Sequence, residues 1–353
     1  MSYLSAELQY QLKKEAAQAE RTGKLTRKQL EIIYSEKLFN LFVPKSLGGL
    51  ELGLVEGLQL EEEIAKLDGS LGWTITLCSG ANAFVGYLSP DVACDIFSNP
   101  KVCFAGSGKI GGIAKETEDG YVVSGRWKYV TGAPHATVFT ANCRIEKAGK
   151  LLTNEDGSPI YRSFFFIPEE VTLIEDWHTM GLVATASHSY EVEKLKVNKN
   201  RSFLIDGTKR TVEHLIYQYP FSLFAELTLA VNHLGIQEHF LEQAQAIFER
   251  IEETAHRDFR AQVLEKARRD ILGRRNDFFS YAQASWEELE TVGEISEELT
   301  KRISGLCREI VKKGRDAALE IYPYLGIFAS NTETEINRII RDILTAGQHS
   351  LLL

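Results

Sequence analysis

The chain has 353 residues, of which 44% are hydrophobic and 25% charged, and this ordinary globular composition is enough for a large core. A net charge of −9 argues against a nucleic acid or an anionic membrane as the main partner. The 5 cysteines are widely spaced, without a Cys-x-x-Cys pair or a Cys/His ligand spacing, so neither a disulfide framework nor a metal site is indicated. A polar N-terminus and the lack of an apolar run of about 18 residues predict a cytoplasmic protein.

The first 100 residues show a helical pattern. Apolar side chains repeat at four-residue spacing from Leu4 to Ala16, as on one face of an amphipathic helix. Thr26 is a candidate N-cap for a second helix. Further helical segments are predicted over residues 56–67, 74–88 and 90–99, with the DGSLGW stretch (68–73) as a break between the first two. Residues 1–100 are therefore expected to form an N-terminal helical domain.

A β-like pattern begins at Lys101. Short apolar runs alternate with turns rich in glycine and proline, and no helical period appears over about 100 residues. Strands are predicted around residues 102–105, 121–131, 138–145, 163–167 and 189–197. This pattern predicts a small β-barrel or sandwich over residues 101–202.

The stretch GRWKYVTGAPHA (125–136) lies inside this β region. Strict alternation places Trp127, Tyr129 and Thr131 on one face of a strand that Gly132 ends. Two flat rings and a hydroxyl on one face can stack on a planar heterocycle and hydrogen-bond its edge. The alternative is an ordinary strand with buried aromatic residues.

The segment GSGKIG (106–111) fits the G-x-G-x-x-G pattern of dinucleotide sites. That fingerprint requires a helix after the glycines and an acidic residue about 20 positions further on. The chain here continues into a predicted hairpin, and no acidic residue occurs from Tyr121 to Ile145. A Rossmann site is therefore rejected, while the backbone amides of this segment and the Ser107 hydroxyl remain candidates for contact with a cofactor.

The helical pattern returns after residue 203. An apolar stripe with 3-4-7 spacing runs from Leu227 to Ile251, as on a long bundle helix, and His233 and His239 on it are expected to face solvent or to be hydrogen-bonded. Further helices are predicted over 258–290, 296–323 and 333–350. The predicted fold is thus α+β and mostly α, with a C-terminal four-helix bundle at residues 203–353.

Four stretches in this order resemble the acyl-CoA dehydrogenase superfamily across nearly the whole chain. They are VPKSLGGLELGL with LEEEIAKLDGSLGW (43–73), GRWKYVTGAPHAT (125–137), DWHTMGLVATASHSYEVEKLKV (176–197) and EINRIIRDILTAGQH (335–349). The resemblance implies a flavin cofactor, FAD or FMN, and a homodimer or homotetramer assembled through the C-terminal bundle.

Within the superfamily, the chain is more similar to the two-component flavin monooxygenases than to the dehydrogenases. That branch carries an AGS-like turn, a GxWxxxSG strand, a GTxSH-like loop and a terminal RD-x-x-T-x-x-x-H. The matching residues here are 105–107, 125–132, 185–188 and 341–349. The resemblance implies that a partner reductase supplies reduced flavin, and that the substrate is a small aromatic or heteroatom compound.

The resemblance also implies roles for single residues. Thr131 would hydrogen-bond near flavin N5 and help to hold the oxygen adduct of the flavin, Trp127 would pack on the isoalloxazine, and His349 would be the general base. Residues at matching positions are expected to bind the cofactor, namely Ser107, Trp127, Tyr129, Thr131, Gly132, Ser187 and Arg341. The branch often has a second active-site histidine where this chain has Asn82.

Two alternatives stay open at this point. In a true acyl-CoA dehydrogenase the catalytic glutamate would fall at Asn331, which the resemblance therefore makes a predicted catalytic position, although an amide is not a general base at neutral pH. Glu333, two residues away, or Glu226 on the first bundle helix would then have to replace it. The other alternative is a degenerate flavoprotein that keeps the fold without the chemistry.

Overall fold

The computed structural model describes residues 3–252 and 256–353. Its N-terminal third is helical, as predicted. Thr26 caps the second helix through a capping box with Gln29, which confirms that predicted helix start. The predicted break is confirmed at Asp68, where one helix ends and the next begins, but it is one residue long and does not span all of DGSLGW. Asp68 is the N-cap of the second of these helices and accepts a hydrogen bond from Leu71 N at 2.9 Å. The helices are α1 (Ala6–Thr22), α2 (Arg27–Ser35), α3 (Leu54–Leu67), α4 (Gly69–Asn82) and α5 (Pro90–Phe97).

The middle of the chain forms one mixed sheet of 8 strands. Its strands are β1 (Phe104–Glu116), β2 (Gly120–Val130), β3 (Val138–Lys147), β4 (Lys150–Leu151), β5 (Tyr161–Phe166), β6 (Thr172–Ile174), β7 (His188–Asn198) and β8 (Ser202–Phe203). The strand order is β6-β7-β2-β1-β3-β5-β8, with β4 paired to β3. The prediction of a small β-barrel or sandwich is corrected to a single mixed sheet, since in the described residues the edge strands β6 and β8 do not pair with each other. β1 and β2 form the predicted hairpin, and β1 runs parallel to β3.

The C-terminal part contains four long helices: α6 (Phe221–Arg250), α7 (Arg257–Val292), α8 (Glu297–Ile321) and α9 (Glu335–Ala346). α6 is the central helix, and it packs against α3, α4, α7, α8 and α9. Its apolar residues therefore belong to the same hydrophobic core as those of the N-terminal helices. The sheet has a second core of its own, which includes Trp127, Phe164 and Tyr190. The exact domain boundaries stay a prediction.

Across the described ranges, the model contains no helix with the length and apolarity that a bilayer crossing requires.

Candidate active site

A cavity of about 170 Å³ lies where the N-terminal helices, the sheet and α6 meet. It brings together three predicted site residues that are far apart in the chain: Ser107, Thr131 and His349. Among the described residues that line it, His349 is the one titratable side chain, and none of them is a carboxylate. The remaining lining is apolar on one side and rich in hydroxyl and amide groups on the other.

The apolar side, the helical wall, comes from one face of α4 with the turn after it and from one face at the start of α6. Its residues are Thr76, Leu77, Gly80, Ala81, Phe84, Phe221, Phe224, Ala225, Thr228 and Leu229. Aromatic contacts fix its shape: the Phe84 and Phe221 ring centroids are 5.3 Å apart, and Phe224 meets Phe42 edge-on at 5.0 Å. Such an apolar concave surface accepts the body of a small hydrophobic ligand.

The polar side, the sheet wall, comes from residues 106–108 of β1, 140–142 of β3 and Ser163 of β5. Asn142 organises it: its Nδ2 donates to the Gly108 carbonyl at 3.0 Å, and its Oδ1 accepts from Ser163 Oγ at 2.7 Å. The GSGKIG segment is therefore part of a strand, and Ser107 reaches the cavity from that strand.

Three buried hydroxyl groups, those of Thr131, Ser187 and Thr185, are linked next to the cavity, which Thr131 lines. We call this place between the two walls the seam. Thr131 Oγ1 and Ser187 Oγ share a hydrogen bond of 2.8 Å, and Ser187 Oγ shares another of 2.8 Å with Thr185 Oγ1. Thr185 in turn donates to the Leu182 carbonyl at 2.8 Å. Because Thr185 uses its proton on the Leu182 carbonyl, Ser187 donates to Thr185 and Thr131 donates to Ser187. Thr131 Oγ1 is thus oriented by its neighbours and can accept a hydrogen bond from a group in the cavity. Thr131 and Ser187 were both predicted as site residues.

Gly132 follows Thr131 in the left-handed region, with φ of 77°. A Cβ built there would lie 2.7 Å from Cys78 Sγ of α4, so a larger residue would push the strand end away from that helix. Its backbone N–H donates to the Thr185 carbonyl at 2.9 Å. The contribution of Gly132 to the site is thus the close approach of β2 to α4.

Trp127 is not on the cavity surface, which corrects the prediction that it packs on the cofactor. Its ring is 1% exposed, stacks on Tyr190 with ring centroids 5.1 Å apart, and donates from Nε1 to the Asn142 carbonyl at 3.2 Å. The strand register shifts between Trp127 and Val130, and Tyr129 has φ of 63°. This irregularity turns Tyr129 away from the face of Trp127, so the strict alternation fails.

Tyr129 is the exposed aromatic residue of this strand. Its side chain is 62% exposed and meets Trp177 edge-on, with ring centroids 6.3 Å apart. A positive φ is unusual for a large residue. Tyr129 therefore provides, next to the buried Thr131, a flat surface on which a ring system can stack. Trp177 was not predicted as a site residue. Its position just before the loop that carries Ser187 was the feature of the sequence that could have indicated it.

His349 lies after the end of α9. Its ring meets Trp73 edge-on, with centroids 5.9 Å apart, and Nδ1 lies 3.4 Å from the Leu351 N–H. In the described part of the chain Nε2 has no protein hydrogen bond and is left for a ligand. Burial, and then the positive charge of Lys109, lower the pKa of His349 below its ordinary value of 6.5. The ring is therefore neutral at pH 7.

A second histidine, His233 of α6, lies behind this segment. It is fully buried, and neither ring nitrogen has a hydrogen-bond partner among the described residues. Burial lowers the pKa of His233 to about 4, so it is neutral. His233 therefore does not face solvent, which corrects that part of the prediction. His239 is hydrogen-bonded as predicted, because its Nε2 hydrogen-bonds Glu335 at 2.8 Å.

Asn82, at the position of the second histidine in the related branch, has a structural role. Its Nδ2 donates to Asn40 Oδ1 at 2.6 Å, and its Oδ1 accepts from Phe104 N at 2.7 Å. These bonds join the end of α4 to the start of β1. The fully buried amide does not line the cavity.

The three residues considered at the dehydrogenase base position do not line the cavity either. Asn331 and Glu333 are exposed in the turn before α9, where Asn331 Oδ1 accepts from Glu333 N at 3.0 Å. Glu226 faces α8 and lies 3.7 Å from Arg308. Because none of them reaches the ligand space, the structure corrects the catalytic assignment of Asn331.

Arg341 is engaged by the protein, and its assignment to the cofactor stays a prediction. It pairs with Glu20 at 2.5 Å, donates from Nε to Asn337 Oδ1 at 2.8 Å, and donates from Nη1 to the Met180 carbonyl. The arginine thus connects α9 with α1 and with the loop before β7.

The comparison with known proteins identifies the fold. Residues 4–89 match the family model "Acyl-CoA dehydrogenase, N-terminal domain". The structure of XiaF from Streptomyces sp. in complex with FADH2 and glycerol superposes with a TM-score of 0.87 at 19% identity, covering 98% of this chain and 89% of that one. The chain has an acyl-CoA dehydrogenase-like fold.

Curated relatives match over most of the chain. Indole-3-acetate monooxygenase of Pseudomonas putida is 23% identical over 340 residues, which are 94% of this chain and 85% of the relative. The oxygenase subunit HsaA, a flavin-dependent monooxygenase of Mycobacterium tuberculosis, is 23% identical over 336 residues, 88% of this chain and 81% of that protein. The predicted resemblance to the flavin monooxygenase branch is confirmed.

Proposed function

We propose that this protein is a flavin-dependent monooxygenase that uses reduced flavin and dioxygen to hydroxylate a small aromatic or heteroatom compound. The observation that carries the proposal is the chemistry of the cavity: an apolar chamber with His349 as the one titratable group and no carboxylate among its described lining residues. Two relatives named as monooxygenases match this chain over 85% and 81% of their own length, and they support the same reaction class.

The same observation argues against the dehydrogenase alternative. Removal of a proton next to a thioester carbonyl requires a base within hydrogen-bond reach of that proton. Glu226 faces Arg308, Glu333 is at the surface, and Asn331 is an amide. No second function has an observation in its favour.

The residues at the seam fit a flavin. Exposed Tyr129 offers a ring surface, and Thr131, fixed by Ser187, offers a hydroxyl to the edge of a heterocycle. Ser107 on the sheet wall adds a further polar contact. The bound reduced flavin supplies the electrons that activate dioxygen. FADH2 in the Streptomyces structure supports a cofactor that arrives reduced, and a partner flavin reductase is the proposed source.

The protein's own contribution is to orient the substrate, exclude water and move one proton. The helical wall holds the ring of the substrate, and its apolar surface keeps water away from the reacting atoms. His349 accepts a proton from the substrate hydroxyl or ring N–H at Nε2. For this, the neutral ring must carry its proton on Nδ1. That tautomer loses the long hydrogen bond, 3.4 Å, that Nδ1 accepts from Leu351 N.

We also propose a homo-oligomer that covers apolar surface on the C-terminal helices. Ile327 and Phe328, in the turn between α8 and α9, are 89% and 57% exposed. Leu272 of α7 and Leu319 of α8 are also exposed. Light scattering is expected to give a dimer or tetramer at micromolar concentration, and a monomer would contradict this part of the proposal.

The function is tested by reconstitution. The protein is mixed with a flavin reductase, NADH, FAD or FMN, and a panel of indoles, phenols and organosulfur compounds, and hydroxylated products are measured. In parallel, the flavin-loaded protein is titrated anaerobically with acyl-CoA thioesters. We expect oxygen-dependent products and no bleaching of the flavin. Bleaching by an acyl-CoA, or failure to bind flavin in either redox state, would overturn the proposal.

A further inference from the structure

The mouth of the cavity carries a lysine that the proposed reaction does not use. β1 departs from regular pairing with β3 between Gly106 and Ile110. In this irregular segment Ser107 and Gly108 line the cavity. Asn142 Nδ2 donates a hydrogen bond of 3.0 Å to the Gly108 carbonyl. The next residue, Lys109, is exposed. Because Gly108 lines the cavity and is itself exposed, Lys109 follows directly after the open edge of the sheet wall, which we take as the mouth of the cavity.

Lys109 is free of ion pairs in the described part of the chain, unlike other charged residues of the same strand. Lys115 pairs with Glu146 at 3.2 Å, and Glu116 pairs with Lys147 at 2.9 Å. The charge of Lys109 also reaches the interior, because it lowers the pKa of His349. An unpaired cation next to an uncharged chamber attracts an anion to the cavity, even in a chain of net charge −9.

We propose that Lys109 binds a carboxylate on the substrate, so that the preferred substrates are aromatic acids with a short anionic side chain. This inference rests on the proposed monooxygenase function and specifies its substrate class. The aromatic ring lies against the helical wall, and the acid group points along the sheet wall to the mouth. A charge-assisted hydrogen bond there fixes which ring atom faces the reaction centre.

The test uses two ligands that share a ring, indole-3-acetate and 3-methylindole. Lys109→Met is expected to raise the KM for indole-3-acetate about tenfold, as for the loss of one charged hydrogen bond, and to leave 3-methylindole unchanged. Lys109→Arg should retain most of the affinity. The matched control, Lys115→Met, removes a charge from the same strand and should change neither KM. Added salt should raise the wild-type KM for the acid only.

A second measurement shows whether the anion that Lys109 binds is the carboxylate of the substrate or a phosphate of the flavin. If Lys109 instead binds a phosphate of the flavin, Lys109→Met will weaken the binding of reduced FAD and reduce the turnover of both indoles together. That result, or equal KM changes for the two indoles, would overturn the inference. So would an unchanged KM for the acid in Lys109→Met.

Calorimetry with the flavin-free protein separates this inference from the function itself. We expect indole-3-acetate to bind wild-type protein more tightly than 3-methylindole, with the difference lost in Lys109→Met. If that binding pattern holds while no compound is hydroxylated, the proposed function fails and the carboxylate site stands. If compounds are hydroxylated without any preference for the acid, the proposed function stands and the carboxylate site fails.

Discussion

The two walls of the cavity differ in chemistry and in the way the chain builds them. The helical wall presents carbon surfaces from α4 and α6, fixed by ring contacts such as Phe84 with Phe221. The sheet wall presents hydroxyl and amide groups, fixed by hydrogen bonds through Asn142. The contrast teaches that one wall selects the size and shape of a ligand while the other orients it. Thr131 and His349, the proposed reactive groups, line the same cavity.

The largest expected effect comes from removing His349. His349→Asn is expected to lower kcat for hydroxylation about 10²- to 10⁴-fold, as for loss of a general base, while reduced flavin still binds. Rapid mixing of the flavin-loaded variant with oxygen and substrate measures this. The control is His239→Asn, which changes a buried histidine of α6 that pairs with Glu335 outside the cavity. Equal losses in both variants would contradict the role of His349.

A smaller effect is expected from disturbing the packing under the sheet wall. A Cβ at Gly112 would lie 2.5 Å from Trp127 Cζ2, so Gly112→Ala is expected to lower the free energy of unfolding by about 1–3 kcal/mol. Gly108→Ala, where a Cβ meets nothing within 4 Å, is the matched control and should be nearly neutral. Denaturant unfolding of both variants measures the difference. Equal stabilities would show that the tryptophan tolerates the added methyl group.

Filling the helical wall should affect substrate more than cofactor. Ala225 of α6 lines the cavity, and Ala225→Phe is expected to raise the KM for an aromatic substrate about tenfold by overpacking, with an unchanged Kd for reduced flavin. Ser222→Phe places the same ring on the exposed side of α6 and should be silent. A loss of flavin binding in Ala225→Phe would mean that the helical wall belongs to the cofactor.

At the seam, Thr131→Val removes a hydroxyl and keeps the shape. Loss of one hydrogen bond is expected to lower the ratio of product formed to oxygen consumed about 2- to 10-fold, with the balance released as hydrogen peroxide. Thr131→Ser keeps the hydroxyl and should restore the ratio. If both variants give the wild-type ratio, Thr131 has only a packing role.

The smallest effect is a shift along the pH axis. The pKa of His349 is lowered, so the neutral base persists below pH 6.5, and kcat/KM should fall only as the pH drops through that lower value. Lys109→Met removes the second cause of the lowering and should move this acid limb to higher pH by less than about one unit. An acid limb at or above pH 6.5 in the wild type would contradict the placement of the ring.

Much of the fold could be predicted because helix and strand periods are local. The capping box at Thr26, the β1–β2 hairpin and the order of the four C-terminal helices follow from neighbouring residues. The open sheet could not be predicted, because closure depends on which distant edge strands pair. Asp68 shows the same limit on a smaller scale: because it caps α4, the break is only one residue long.

At the site, the structure brings the predicted residues Ser107, Thr131 and His349 to one cavity. Their roles toward cofactor and substrate stay a prediction. Trp127 failed because a register shift and the positive φ of Tyr129 reverse the faces of the strand, and no local pattern encodes that. His233 was misjudged because its burial depends on packing between α6 and the distant chain end.

The most direct test of the central claim follows the oxygen atom. The protein, a flavin reductase, NADH, flavin and an aromatic acid that it converts are incubated under ¹⁸O₂ in ordinary water, and the product is analysed by mass spectrometry. The account predicts one ¹⁸O atom in each hydroxylated product, and none when the experiment is repeated with ¹⁶O₂ in H₂¹⁸O. Oxygen derived from water, or a dehydrogenated product without added oxygen, would contradict it.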